Sequence, residues 1–168
     1  FLSHNAEDYD VKGEKTAVLD MPGEFAARGI TAAGFNSFTQ ADMTKAAFNT
    51  IFIFDSEGMQ LGYLGALGQE PSPDVLDKLS GSDILFIPVD SAAGWDVKTA
   101  VATVKKIEPK IIIPMHFDQK GLTMKGLSSE KAFIEALGGK AERLPKLTLK
   151  KKDIEGDSMK VVVLERGA

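Results

Sequence analysis

Two continuous apolar runs, Asp83-Ile84-Leu85-Phe86-Ile87-Pro88-Val89 and Lys110-Ile111-Ile112-Ile113-Pro114, constrain this chain more than any other feature. An unbroken apolar run of this length is typical of a strand covered on both faces. Between the two, Val97, Ala100, Val101, Val104 and Ile107 recur at helical spacing, which predicts a helix over Asp96–Ile107. Buried strand, helix, buried strand is the rhythm of a layered α/β fold.

The chain before this core has a different rhythm. Ala17–Asp20 is a short apolar strand candidate ended by the turn pair Pro22-Gly23. Glu24–Phe38 alternates around Arg28-Gly29, which predicts a hairpin. Asn49–Asp55 alternates, Glu57-Gly58 turns the chain, and Met59–Leu64 returns as the partner strand. Pro73–Leu79 is expected to be a short helix with proline in its first turn. After the core, Ser128–Leu137 has a serine cap region and stops at Gly138-Gly139. Leu147–Lys151 and Met159–Leu164 are expected to be strands joined by the turn Glu155-Gly156-Asp157. The lysines at 150–152 then form the solvated part of a strand. The sum is two sheets with helices packed outside, in a single domain over residues 1–168.

Several function classes drop out on composition. The net charge of -4 offers no electrostatic case for nucleic acid. Without cysteine there is neither a disulfide framework nor a thiolate metal site. No apolar run approaches the roughly 20 residues that span a membrane, and no signal-peptide pattern is present. The expected compartment is the cytoplasm.

Chemistry points to the two histidines. His4 follows Phe1-Leu2-Ser3, which reads as the tail of a strand already under way, and Asp8 comes four residues later. His116 ends the second buried run, in Ile113-Pro114-Met115-His116-Phe117. Imidazole and carboxylate together suit Zn, Mn or Fe. Plainer uses exist: His4 and Asp8 can hydrogen-bond each other or the loop backbone, and His116 can pack against the sheet ends. No nucleophile elbow of the Gly-x-Ser-x-Gly type appears.

The ordered landmarks Leu2-Ser3-His4 with Asp8, Pro22-Gly23-Glu24-Phe25, Gly62–Gly68, Asp83–Val89 and Pro109–Phe117 resemble the metallo-β-lactamase superfamily. The resemblance runs over nearly the whole chain. It is strongest to the branch of predicted Zn-dependent hydrolases that includes L-ascorbate-6-phosphate lactonase. It implies an αββα sandwich lacking its opening strands, which lie upstream or are supplied by another chain. It also implies a metal centre built on His-x-His-x-Asp-His, a later His, a Gly-Asp-x-Gly carboxylate and a final Pro-Met-His.

Carried over residue by residue, that motif is degenerate. His4 matches the first His, Asp8 the Asp and His116 the last His, while Ala6, Tyr9, Thr39 and Ala66 stand where ligands are expected. One half-site keeps only His4, and the other keeps Asp8 and His116. A catalytic Zn site normally takes three protein ligands and a water. The resemblance therefore implies a pseudoenzyme kept for binding or as a structural subunit, with no cofactor. The alternative is a hydrolase of a lactone or phosphodiester. It would use a reduced mononuclear site of His4, Asp8 and His116 holding Zn or Mn, with Asp8 as the catalytic carboxylate. Expected partners are a protein or a second copy, through the sheet edge that absent strands expose.

Overall fold

The computed structural model describes residues 19, 21–39, 48–89, 95–118, 129–156 and 159–165. The predicted strand at Ala17–Asp20 therefore lies outside the described residues, apart from Leu19.

The meander forms as its alternation predicts. Strands β1 (Gly23–Ala27), β2 (Ile30–Phe38), β3 (Phe48–Ser56) and β4 (Met59–Tyr63) pair antiparallel in chain order. Arg28-Gly29 and Glu57-Gly58 turn the chain with positive φ at all four residues, the geometry of a two-residue hairpin turn. Helix α1 (Pro73–Leu79) then crosses to β5 (Ile84–Pro88), and α2 (Val97–Ile107) to β6 (Ile111–Met115). Both crossovers produce parallel pairs, β4 with β5 and β5 with β6. Helix α3 (Glu130–Ala136) leads to β7 (Glu142–Leu144), and β8 (Lys160–Leu164) inserts between β6 and β7. The order across the sheet is β1-β2-β3-β4-β5-β6-β8-β7.

Local chemistry sets the helix ends. The Asp96 carboxylate caps α2, accepting from Thr99 N at 2.8 Å, and Glu108 ends it in the left-handed conformation. Ser129 caps α3 through a hydrogen bond from Lys131 N.

Each face of the sheet has its own core. Ile51, Ile53, Leu64, Leu85, Ile87 and Ile112 pack against Leu79 of α1, Val104 of α2 and Phe133 of α3. On the opposite face Ile84, Ile111, Ile113 and Val162 are covered by Ile154, with Leu147 and Leu149 packed against them. The α/β class is as expected. Among the described residues the strands join one sheet, with all three helices on one face.

One element differs from expectation. Leu147–Lys151 is not a strand: 146–150 is irregular and Lys151–Ile154 is a 3-10 helix. Leu147 and Leu149 bury alternate side chains, as a strand would, but they do so lying across a sheet face instead of extending its edge. The strand that does join the sheet is Glu142–Leu144, beside β8. Lys151 is correspondingly not a solvated strand residue, because its ammonium bonds the buried Asp83 carboxylate.

Candidate functional site at the strand ends

Strand direction gathers the candidate positions. Both β2 and β4 run antiparallel to β3, and β4, β5 and β6 run parallel. The C-terminal ends of β2, β4, β5 and β6 therefore meet at one edge of the sheet. In α/β sheets this is the edge where loops carry ligands. Thr39 follows β2, Ala66 lies in the loop after β4, and His116 follows β6. Backbone hydrogen bonds tie these ends together: Gly68 N donates to Phe38 O at 2.8 Å, and Val89 N to Met115 O at 2.8 Å.

The loop at Ala66 is held by a residue that sequence reasoning passed over. Asn49, 0% exposed, stands at the start of β3. Its amide nitrogen donates to Ser37 Oγ at 2.6 Å and to Leu64 O at 3.0 Å. Its oxygen accepts from Ala66 N at 2.9 Å. Ser37 Oγ donates back to Asn49 O at 3.0 Å. Both donors of the carboxamide and one acceptor position are filled, so it splints the loop to the end of the β2–β3 pair. The only sequence signal for it is a polar side chain opening an otherwise apolar strand, which reads equally well as a strand terminus.

Backbone geometry is unusual along the same edge. Gly65 has φ 65 and His116 has φ 51. Left-handed backbone is ordinary for glycine. For histidine it is uncommon, and such conformations cluster at functional sites. His116 is half-buried. At the end of β5, Trp95 is 1% exposed and its indole N–H donates to Pro88 O at 2.7 Å. Trp95 is thus a packing residue of the helix-side core.

Thr39, Ala66 and His116 therefore share one edge, whereas His4, Ala6, Asp8 and Tyr9 lie outside the described residues. Of the three that are placed, only His116 carries a side chain of the kind that commonly binds zinc. Among the described residues no group of three or more His, Cys, Asp or Glu converges as a metal site. The described donors do not fit a catalytic metal ion, which needs about three.

Among the described residues the buried carboxylates, Asp83 and Glu130, serve structure. Asp83, at the opposite edge of the sheet, accepts from Gln60 N at 2.9 Å and from the ammonium groups of Lys110 and Lys151. Burial alone would raise its pKa, but the lysine and backbone hydrogen bonds outweigh it and hold the carboxyl below the usual value. Glu130 is lowered in the same way: burial is outweighed chiefly by the hydrogen bond from Arg143.

Residues 2–116 match the family model described as a beta-lactamase superfamily domain. The chain belongs to the metallo-β-lactamase superfamily. Within the superfamily, a UPF0173 metal-dependent hydrolase from Archaeoglobus fulgidus is 22% identical over 144 residues. The alignment covers 82% of this chain and 61% of that protein, so the chain spans about three fifths of its curated relative. A solved candidate Zn-dependent hydrolase of the superfamily from Thermotoga maritima superposes with a TM-score of 0.74 at 27% identity. That match covers 96% of this chain and 78% of the other. A metallo hydrolase from Ignicoccus hospitalis shares the fold, with a TM-score of 0.54 at 18% identity, over 89% of this chain and 57% of the other. No helix among the described residues is long and apolar enough to cross a membrane.

Proposed function

We propose that this chain is a superfamily member that has lost the hydrolytic metal centre and keeps the fold for binding, as a pseudoenzyme or structural subunit. The observation that carries the reading is Ala66. Its loop is splinted by Asn49 and tied to β2, so the scaffold around it is held. A methyl group stands there, and it has no donor atom to offer a metal. Thr39, on the same edge, is where the resemblance expects another histidine. Elemental analysis of the purified protein is expected to find no stoichiometric Zn or Mn. One or two equivalents retained through dialysis against a weak chelator would sink the reading.

A second reading rests on His116. Its left-handed backbone, at the end of the central parallel strand β6, is the kind of conformation functional sites retain. In this reading His4, Asp8 and His116 hold one divalent ion, a two-histidine one-carboxylate set. The ion would supply activated water for a lactone or phosphodiester, and Asp8 would orient that water. Metal-stimulated hydrolysis abolished by His116→Ala would establish it; hydrolysis unchanged in that variant would exclude it.

A further inference from the structure

The helix layer stops short of the sheet. Helix α1 rests on β4, where Gly62 makes room: a Cβ there would sit 2.6 Å from Leu79 Cδ2. Helices α2 and α3 continue the layer toward β8, packing Val104 and Phe133 into the same core. On the other side of α1 the helix-side core thins out: Ile51 and Ile53 of β3 still belong to it, whereas no residue of β1 does among the described residues. A groove of about 710 Å³ lies there, lined by Glu24, Ala33, Phe35, Ile53, Asp55 and Lys78 among others.

Its dimensions suit one helix. Cross-strand register puts Glu24, Ala33, Ile53 and Gly62 in one row across β1 to β4. Strands are about 4.8 Å apart, and packed helix axes are about 8–10 Å apart. A neighbour of α1 at that distance would lie over β2, two strands from β4. Residues there are small: Thr31 and Ala33 face the groove. Phe35 and Ile53 line the groove where it meets the helix-side core, Ile53 being 6% exposed and Phe35 partly buried.

Charge gives the occupant its sign. Glu24 on β1 and Asp55 on β3 are exposed at the groove, and neither has an ion-pair partner among the described residues. Lys78, the one cation lining it among the described residues, is already paired with Asp74 at 3.1 Å. Among the described residues the walls are therefore acidic, above small and partly buried apolar side chains.

We propose that the groove over β1–β3 receives an amphipathic helix of a partner protein, apolar on one face and flanked by Lys or Arg, which completes the helix layer. The proposal deepens the binding role above and rests on it. Metal analysis tests the lost centre separately, because the groove lies away from the strand ends.

The test uses the full chain and a fluorescein-labelled synthetic peptide of about four helical turns, Leu on one face and Lys on its flanks. Saturable binding is expected, weakened at least tenfold by Glu24→Lys with Asp55→Lys. The charge-matched control Glu135→Lys with Glu165→Lys, remote from the groove, is expected to bind as the parent does. Absence of saturable binding would overturn the proposal. So would equal weakening by both pairs, which would mean net charge alone, or equal binding of a peptide with Glu in place of Lys. Sedimentation of a dimer that Glu24→Lys dissociates would overturn it too, since a second copy would then fill the groove.

Discussion

At the residue scale, the molecule separates side chains that hold geometry from side chains that could do chemistry. Asn49 is of the first kind. Asn49→Ala leaves Ala66 N, Leu64 O and Ser37 Oγ short of partners in a buried place. Each orphaned group costs roughly 1–3 kcal/mol, so a loss of about 2–4 kcal/mol in urea unfolding is expected. A loss under about half a kcal/mol would show that water replaces the carboxamide without penalty. Asp83 sets a pH dependence. Its folded pKa is depressed, so its contribution is present above the unfolded carboxyl value near 3.9 and is lost as pH falls through the folded value. Stability is therefore expected to decline below about pH 4. In Asp83→Asn that decline is expected to be shallower, from a lower starting stability. Parallel acid-unfolding curves for the two proteins would contradict this.

Elements were legible where their apolar pattern had one reading. The runs Asp83–Val89 and Lys110–Pro114 had the marks of strands covered on both faces, and α2 announced itself through its apolar spacing. Legibility failed where the same alternation serves two geometries. Leu147 and Leu149 alternate as a strand does, yet they lie across a face and end in a 3-10 helix. Glu142–Leu144 carries no strand signature at all; its place follows from β8 beside it. Two substitutions test these packings. Gly62→Ala puts a methyl within 2.6 Å of Leu79 and 2.9 Å of Leu85, both 0% exposed. Overpacking of this kind typically costs about 1–3 kcal/mol. Ile154→Ala opens a cavity under the 145–154 segment, with an expected loss of about 2–4 kcal/mol. If Ile154→Ala proved neutral in calorimetry, that segment would be ornament and not cover.

For the whole molecule, ancestry was easier to read than present use. The order of landmarks along the chain led to the superfamily, because a fold that brings four strand ends to one edge needs those segments in that sequence. The candidate site was half legible: Thr39, Ala66 and His116 do share an edge, but Asn49 was invisible because a buried amide looks like any polar strand end. The acid-lined groove was invisible for a different reason, since a gap in a helix layer leaves no mark on any one segment. The strand order carries one more consequence, for synthesis. From β1 to β6 each strand pairs with the one made just before it. A nascent chain can thus extend its sheet neighbour by neighbour as it leaves the ribosome. That progress halts at β6, because β7 emerges before the strand that must separate it from β6. Until β8 arrives, β7 has nothing to pair with and β6 is an open apolar edge, the state in which a stalled chain is most exposed to chaperones and to aggregation.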